Sequence, residues 1–186
     1  MDNRKLQFII ILLIPYAIIA GMFLKAAYPV FTGSPILLNV SPVDPRDLMR
    51  GQYVDLRYDF SELDLKGISV ELPLNRKFSF GDYLYLALDI SKPNAPARIK
   101  GIYLNKPDNM IVLKITPKDE FTFTEDIKKQ SEPFVVSFFS GIETYFADPE
   151  MALALEQQNR NNELLAEVYL TKNGEARITA LVPRRE

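Results

Sequence analysis

The chain has 186 residues, a formal net charge of −2, and no cysteine, histidine or tryptophan. Disulfides, thiol nucleophiles and Cys/His zinc sites are therefore excluded, as are Ser-His-Asp and Cys-His catalysis. The charge is balanced and no basic block occurs, so nucleic acid is not an expected partner.

Hydrophobic residues make up 47% and charged residues 25%, an ordinary globular composition. The length fits one folded domain with an accessory segment. Leu6 to Leu24 is a run of 19 uncharged residues, LQFIIILLIPYAIIAGMFL. As a helix it would span about 28 Å, close to a hydrocarbon core of roughly 30 Å. A single-pass anchor is expected, with Leu6, Phe8, Pro15, Phe23 and Leu24 in contact with lipid. Arg4 and Lys5 precede the run, so the N-terminus is expected in the cytoplasm and everything after Lys25 on the other side of the membrane. A cleaved signal peptide would have a shorter run and a small residue where Lys25 stands. A buried core helix would not be apolar on all faces. A pilin-like assembly helix would carry an acidic residue inside the run.

Residues 1–25 are thus assigned to the anchor, 26–34 to a short linker with Pro29 and Gly33, and 35–186 to an extracytoplasmic domain. Tyr28 and Phe31 suit a membrane interface. Pro35 to Val40 reads as a first strand, followed by the turn Pro42-Val43-Asp44-Pro45-Arg46-Asp47. Gly51 to Phe60 then alternates, with Val54, Leu56, Tyr58 and Phe60 inward and Tyr53, Asp55, Arg57 and Asp59 outward. A diluted copy follows at Gly81 to Ile90, with Leu84, Leu86, Leu88 and Ile90 inward. Each copy opens on a glycine suited to a turn or to positive φ.

Ser61 to Leu65 is expected as a turn, with short strands at Ile68 to Leu72 and Arg76 to Phe80. Arg98 to Leu104 and Met110 to Thr116 read as a hairpin. Pro117 to Glu132 is polar apart from Phe121 and Phe123. Phe134 to Phe139 reads as a central buried strand. A helix is expected from Asp148, with Pro149 at its first position, to about Asn159. Leu164 to Leu170 and Ala176 to Val182 form a hairpin over Lys172-Asn173-Gly174-Glu175, since Asn-Gly is a strong hairpin signal. About eight to ten short strands and one short helix predict a mainly β class, a sandwich or barrel-like domain behind a transmembrane helix.

The run Pro42 to Tyr58, PVDPRDLMRGQYVDLRY, and the signature Gly141-Ile142-Glu143-Thr144-Tyr145-Phe146 resemble the GDYXXLXY family of small membrane-anchored bacterial proteins. The resemblance covers nearly the whole chain and implies an extracytoplasmic β-domain with no established activity, often found alongside polytopic membrane proteins. Gln52 stands where the motif has Asp. The second copy keeps Asp82 but has Leu88 for the final Tyr. A catalytic role for the motif Asp would be lost with Gln52.

Asp44, Asp47, Asp55 and Asp59 could be read as a carboxylate cluster, but no EF-hand spacing is present. The simpler reading has Asp44 and Asp47 capping the turn against Arg46 or Arg50, while Asp55, Arg57 and Asp59 form a solvated strand face. A Ser/Lys hydrolase would draw on Ser41, Ser137 or Ser140, none in the Ser-Met context of membrane-anchored peptidases. No catalytic, metal or cofactor residue is assigned. Tyr53, Tyr83 and Tyr85 suggest an aromatic outer face or cross-strand pairs.

The expected function is non-enzymatic: an accessory or structural subunit that binds an integral membrane protein or complex. Asp44, Arg46, Asp47, Arg50, Tyr53, Asp55 and Arg57 are the expected contact surface. The alternative is an extracytoplasmic module for a small ligand or glycan, which would need an apolar pocket with convergent polar groups.

Overall fold

The computed structural model describes residues 3–41, 53–91, 95–129, 132–146 and 164–184. The apolar run folds as α1 (Asn3–Thr32), a 30-residue helix that would extend ~45 Å. Pro15, Phe23 and Leu24 are exposed on it. Leu6 and Phe8 lie in the same helix. Ile11–Thr32 is long and apolar enough to cross a membrane, and none of its most apolar window is buried in the protein. That rules out a core helix, whose apolar faces would be covered.

The expected linker at 26–34 is a correction. The helix runs through most of it and meets the first strand after Gly33 alone. Pro29 does not end the helix, because it sits in the last turn and is buried. Its carbonyl accepts Gly33 N at 2.8 Å, and the Thr32 hydroxyl donates to Tyr28 O at 2.8 Å. A Cβ at Gly33 would stand 2.5 Å from Pro29 O and 3.0 Å from the Leu170 backbone. Only glycine lets helix and sheet approach so closely.

β1 (Ser34–Ser41) buries Ile36, Leu38 and Val40 on one face, as period-2 alternation requires. It pairs antiparallel with β13 (Leu164–Leu170), which pairs with β14 (Ala176–Pro183). The β13–β14 hairpin forms as expected. Its loop joins Gly174 N to Thr171 O at 3.0 Å and Thr171 N to Glu175 O at 2.9 Å. Gly174, at φ 85°, takes the left-handed position of a three-residue loop.

The repeat resolves into two different objects. The second copy becomes β7 (Leu84–Asp89), with Leu84, Leu86 and Leu88 buried, but Ile90 is 37% exposed. Its Gly81 has φ 103°, as a turn glycine should. The first copy breaks at Leu56 into β2 (Tyr53–Asp55) and β3 (Arg57–Tyr58). β3 pairs with β1, completing a four-stranded sheet ordered β14-β13-β1-β3. Leu56, Tyr58 and Phe60 are buried as expected, and Asp55, Arg57 and Asp59 are exposed.

β7 lies within a six-stranded sheet. β8 (Arg98–Tyr103) and β9 (Ile111–Pro117) flank it on opposite sides, both antiparallel. The expected hairpin of these two strands is therefore corrected: the more completely buried β7 sits between them. β5 (Ser69–Glu71) adds parallel to β8. β11 (Val135–Phe139) pairs with β9 and with β4 (Glu62–Asp64). Residues read as a turn at 61–65 are thus partly a strand, because Leu63 and Leu65 are buried apolar residues. β11 is central in pairing, but only Val136 and Phe138 are buried. Val135 and Phe139 are 52% and 40% exposed.

β6 (Lys77–Phe78) pairs with β10 (Phe121–Thr122), and α2 (Glu125–Lys129) follows. Phe121 stacks on Phe78 at 5.1 Å and meets Phe138 edge-on at 6.1 Å, so the polar stretch is pinned by aromatic contacts. The helix expected from Asp148 lies outside the described residues.

The class is mainly β, as expected, with strands from both sheets sharing one core cluster. Among the described residues, backbone bonds tie the sheets together beside their strands: Ala97 N, just before β8, to Leu37 O at 2.7 Å, and Lys114 N to Gly174 O of the β13–β14 loop at 2.8 Å.

Candidate functional site

The two sequence motifs meet in space. β12 (Thr144–Phe146) pairs antiparallel with β2, matching Thr144 with Asp55, Tyr145 with Val54 and Phe146 with Tyr53. They form a two-stranded ribbon apart from the larger sheets. Leu56 N continues the pairing by donating to Glu143 O at 2.7 Å. The break at Leu56 therefore has a cause. The strand's first half follows the Gly141–Phe146 segment and its second half follows β1.

Tyr58, the last tyrosine of the motif, fixes the joint. Its hydroxyl donates to Ile142 O at 2.8 Å, and its ring stacks on Phe60 with centroids 5.0 Å apart. Tyr58 N donates to the Ser61 hydroxyl, and Ser61 N donates to Tyr58 O. Tyr58 is 3% exposed and Ile142 1%. Burial pushes the phenol well above its ordinary value, and the Glu143 carboxylate pushes it further.

Glu143 organises the corner. Its Oε1 accepts Ser140 N at 2.7 Å and the Ser140 hydroxyl at 2.9 Å, and its Oε2 accepts Gly141 N at 2.8 Å. Gly141 has φ 87°, a conformation that a side chain would strain. The carboxylate thus satisfies the donors of a sharp turn before β12. The Ser140 hydroxyl is engaged with a carboxylate there. Ser137 sits in β11 with its carbonyl accepting Lys118 N.

Of the expected contact surface, Asp55 and Arg57 are exposed at the ribbon and at the edge of β3. Tyr53 takes its place on β2. Asp44, Arg46, Asp47 and Arg50 lie outside the described residues, as do Gly51 and Gln52. Asp59 accepts Asn39 Nδ2 at 2.8 Å, and Arg184 donates to Asn39 Oδ1 at 3.0 Å. The outer face of β3 and β1 is therefore a hydrogen-bonded surface, in line with the simpler reading of these charges. Among the described residues, no group of three or more acidic side chains is placed to hold a metal.

The tyrosines of the two copies do not share one sheet. Tyr85 lies in β7 of the six-stranded sheet and Tyr83 just before that strand, where Lys114 Nζ lies 3.7 Å from the Tyr83 ring centroid. Asp82 accepts Ser79 N at 3.0 Å and Arg76 Nη2 at 3.3 Å, so the motif's acidic residue is a turn cap in this copy. The residues that sequence reading missed are Glu143 and Ser61. The Gly-Ile-Glu-x-Tyr-Phe signature pointed to Glu143 without giving its role.

A pH dependence follows from Tyr58. The buried phenol must stay protonated in the fold, whereas the unfolded chain ionises it near pH 10. Its contribution is full below about pH 10 and is lost as pH rises toward the higher folded value. Tyr58→Phe should cost about 1–2 kcal/mol at neutral pH, because Ile142 O loses its donor. Above about pH 10 the parent should lose up to ~1.4 kcal/mol per pH unit relative to the variant. Urea unfolding of both proteins from neutral to alkaline pH checks this. Parallel stability profiles would disprove it.

These observations define a class: a β-domain carried on one long apolar helix, with a two-motif joint at the end of β1 far from that helix. A sequence model of the GDYXXLXY protein family matches residues 15–181, and the chain belongs to that family. Comparison with curated proteins and with solved structures found no match.

Proposed function

We propose that this is a single-pass membrane protein whose β-domain acts as an accessory or structural subunit of a membrane-protein partner. The domain lies outside the bacterial inner membrane. The observation that carries the reading is the meeting of both family motifs in one exposed ribbon. Thr144 and Asp55 are exposed, and Phe146 is 76% exposed. An exposed large aromatic suits a contact surface. β1 spans eight residues from the anchor to this end, about 25 Å at ~3.3 Å per residue. The ribbon thus lies at the end of β1 away from the anchor. Residues 42–52 enter it at Tyr53 and residues 147–163 leave it at Phe146, so both are attached at one end.

The junction supports a retained anchor. Pro29 is buried and Gly33 is fitted against Leu170, so cleavage there would cut packed structure. The cavity beside Tyr58 measures only about 10 Å³, too small for a ligand, so at the joint itself a surface role is favoured over a pocket. A non-enzymatic role accords with the structural use of Tyr58 and Glu143.

The test is purification of the full chain from its native membrane in mild detergent, beside Asp55→Lys and Arg57→Glu. A stoichiometric membrane protein should accompany the parent and be lost from the variants, with thermal stability unchanged. Recovery of the chain alone would overturn the proposal.

A further inference from the structure

The edge of the domain next to α1 holds a groove of about 510 Å³. Ser34 and Pro35 line it, two and three residues beyond the end of the helix. The groove therefore opens where the helix leaves the membrane. Tyr28 and Phe31 are 44% and 79% exposed on the last turns. Aromatic side chains in that position sit at headgroup level, which sets the groove at the same depth.

Its chemistry is divided. Ile90, Met110 and Ile111 line it and are 37%, 41% and 45% exposed. Ile90 follows the end of β7 and is the first position of the alternation to lose its burial, so an apolar residue is kept where the core does not use it. Lys106 and Lys172 line the same groove, with Asp108. Apolar side chains beside ammonium groups match the junction of acyl chain and phosphate in a phospholipid.

We infer that this groove seats a phospholipid of the adjoining leaflet, with its phosphate at Lys106 and Lys172 and its upper acyl chain against Ile90, Met110 and Ile111. The inference rests on the anchored reading above. The short junction at Gly33 gives it a physical basis: a domain joined by one glycine cannot turn freely, so one edge faces the bilayer.

The chain has no tryptophan, so single-tryptophan variants report cleanly. Met110→Trp, Ile14→Trp and Phe80→Trp would be made in the full chain and reconstituted into phosphatidylglycerol–phosphatidylcholine vesicles with brominated acyl chains. Phe80 is 73% exposed and adjoins Gly81, which bonds to Thr116 at the opposite end of β9 from Ile111. Tryptophan at 14 and at 110 should lose most of its emission, and tryptophan at 80 should keep it. Adding Lys106→Glu and Lys172→Glu should restore the emission at 110 to the level at 80. Quenching at 14 with none at 110 would overturn the groove alone. No quenching at 14 would overturn the anchor and the groove together. Quenching at 110 that the lysine changes leave intact would overturn the phosphate site. Ile90→Trp serves as a second reporter should Met110→Trp fail to fold by circular dichroism.

Discussion

Glu143→Ala is expected to destabilise the domain by about 2–4 kcal/mol, since hydrogen bonds to a charged group contribute about 1.5–3 kcal/mol each and this carboxylate is only half-buried. One carboxylate accepts from Ser140 N, the Ser140 hydroxyl and Gly141 N. Alanine leaves all three donors without that acceptor, at a turn already held in positive φ. Water can replace part of the loss, which is why the full sum is not expected. Glu143→Gln should recover about half of the loss. Its amide oxygen can take the place of Oε1, but its NH2 then opposes Gly141 N. Urea unfolding gives the comparison, provided the slope with denaturant is unchanged. A change under about 0.5 kcal/mol for alanine would show that the carboxylate does not hold the corner. The consequence for function lies in the ribbon. With the turn released, β12 loses its fixed approach to β2, and partner retention should fall even where the sheets persist.

Gly33→Val is expected to cost about 3 kcal/mol or more, the upper end of overpacking effects. The added atoms meet backbone rather than flexible side chain: Pro29 O at 2.5 Å and Leu170 N and C at 3.0 Å. Neither can move without breaking the helix end or the Ser34–Leu170 pairing. The damage should be local. Hydrogen exchange should rise at 33–37 and 168–171, while β7 and β9 stay protected. Unchanged exchange at the junction, together with an unchanged Tm, would show that helix and sheet are not rigidly joined. The same variant tests the membrane-facing groove from another side, because a loosened junction should reduce quenching at position 110.

The elements that sequence reading placed well are those whose signals are local. α1 follows from an uncharged run, and the β13–β14 hairpin follows from Asn173-Gly174 between alternating strands. Leu56, Tyr58, Phe60, Leu84, Leu86 and Leu88 are buried as their spacing required. The errors have another origin. β8 and β9 looked like a hairpin because they are neighbours in sequence, yet β7 lies between them. The linker at 26–34 looked like a break because Pro29 and Gly33 are breakers in isolation. Buried against the sheet, Pro29 ends nothing, and Gly33 serves close packing.

For the site, the sequence marked Tyr58 and the Gly141–Phe146 signature as separate runs. It carried no sign that the Tyr58 hydroxyl reaches Ile142 O, 84 residues away, or that Glu143 would cap the turn between them. What the sequence by itself determined is which segments extend, which faces are apolar and that one helix can cross a membrane. Those properties depend on the spacing of neighbours along the chain. The tertiary structure decided which strand pairs with which, why one copy of the repeat splits while the other stays whole, and that the two motifs form one joint. A period of two tells a strand which face to bury but not whose edge to join. That choice is made by the packing of the whole core.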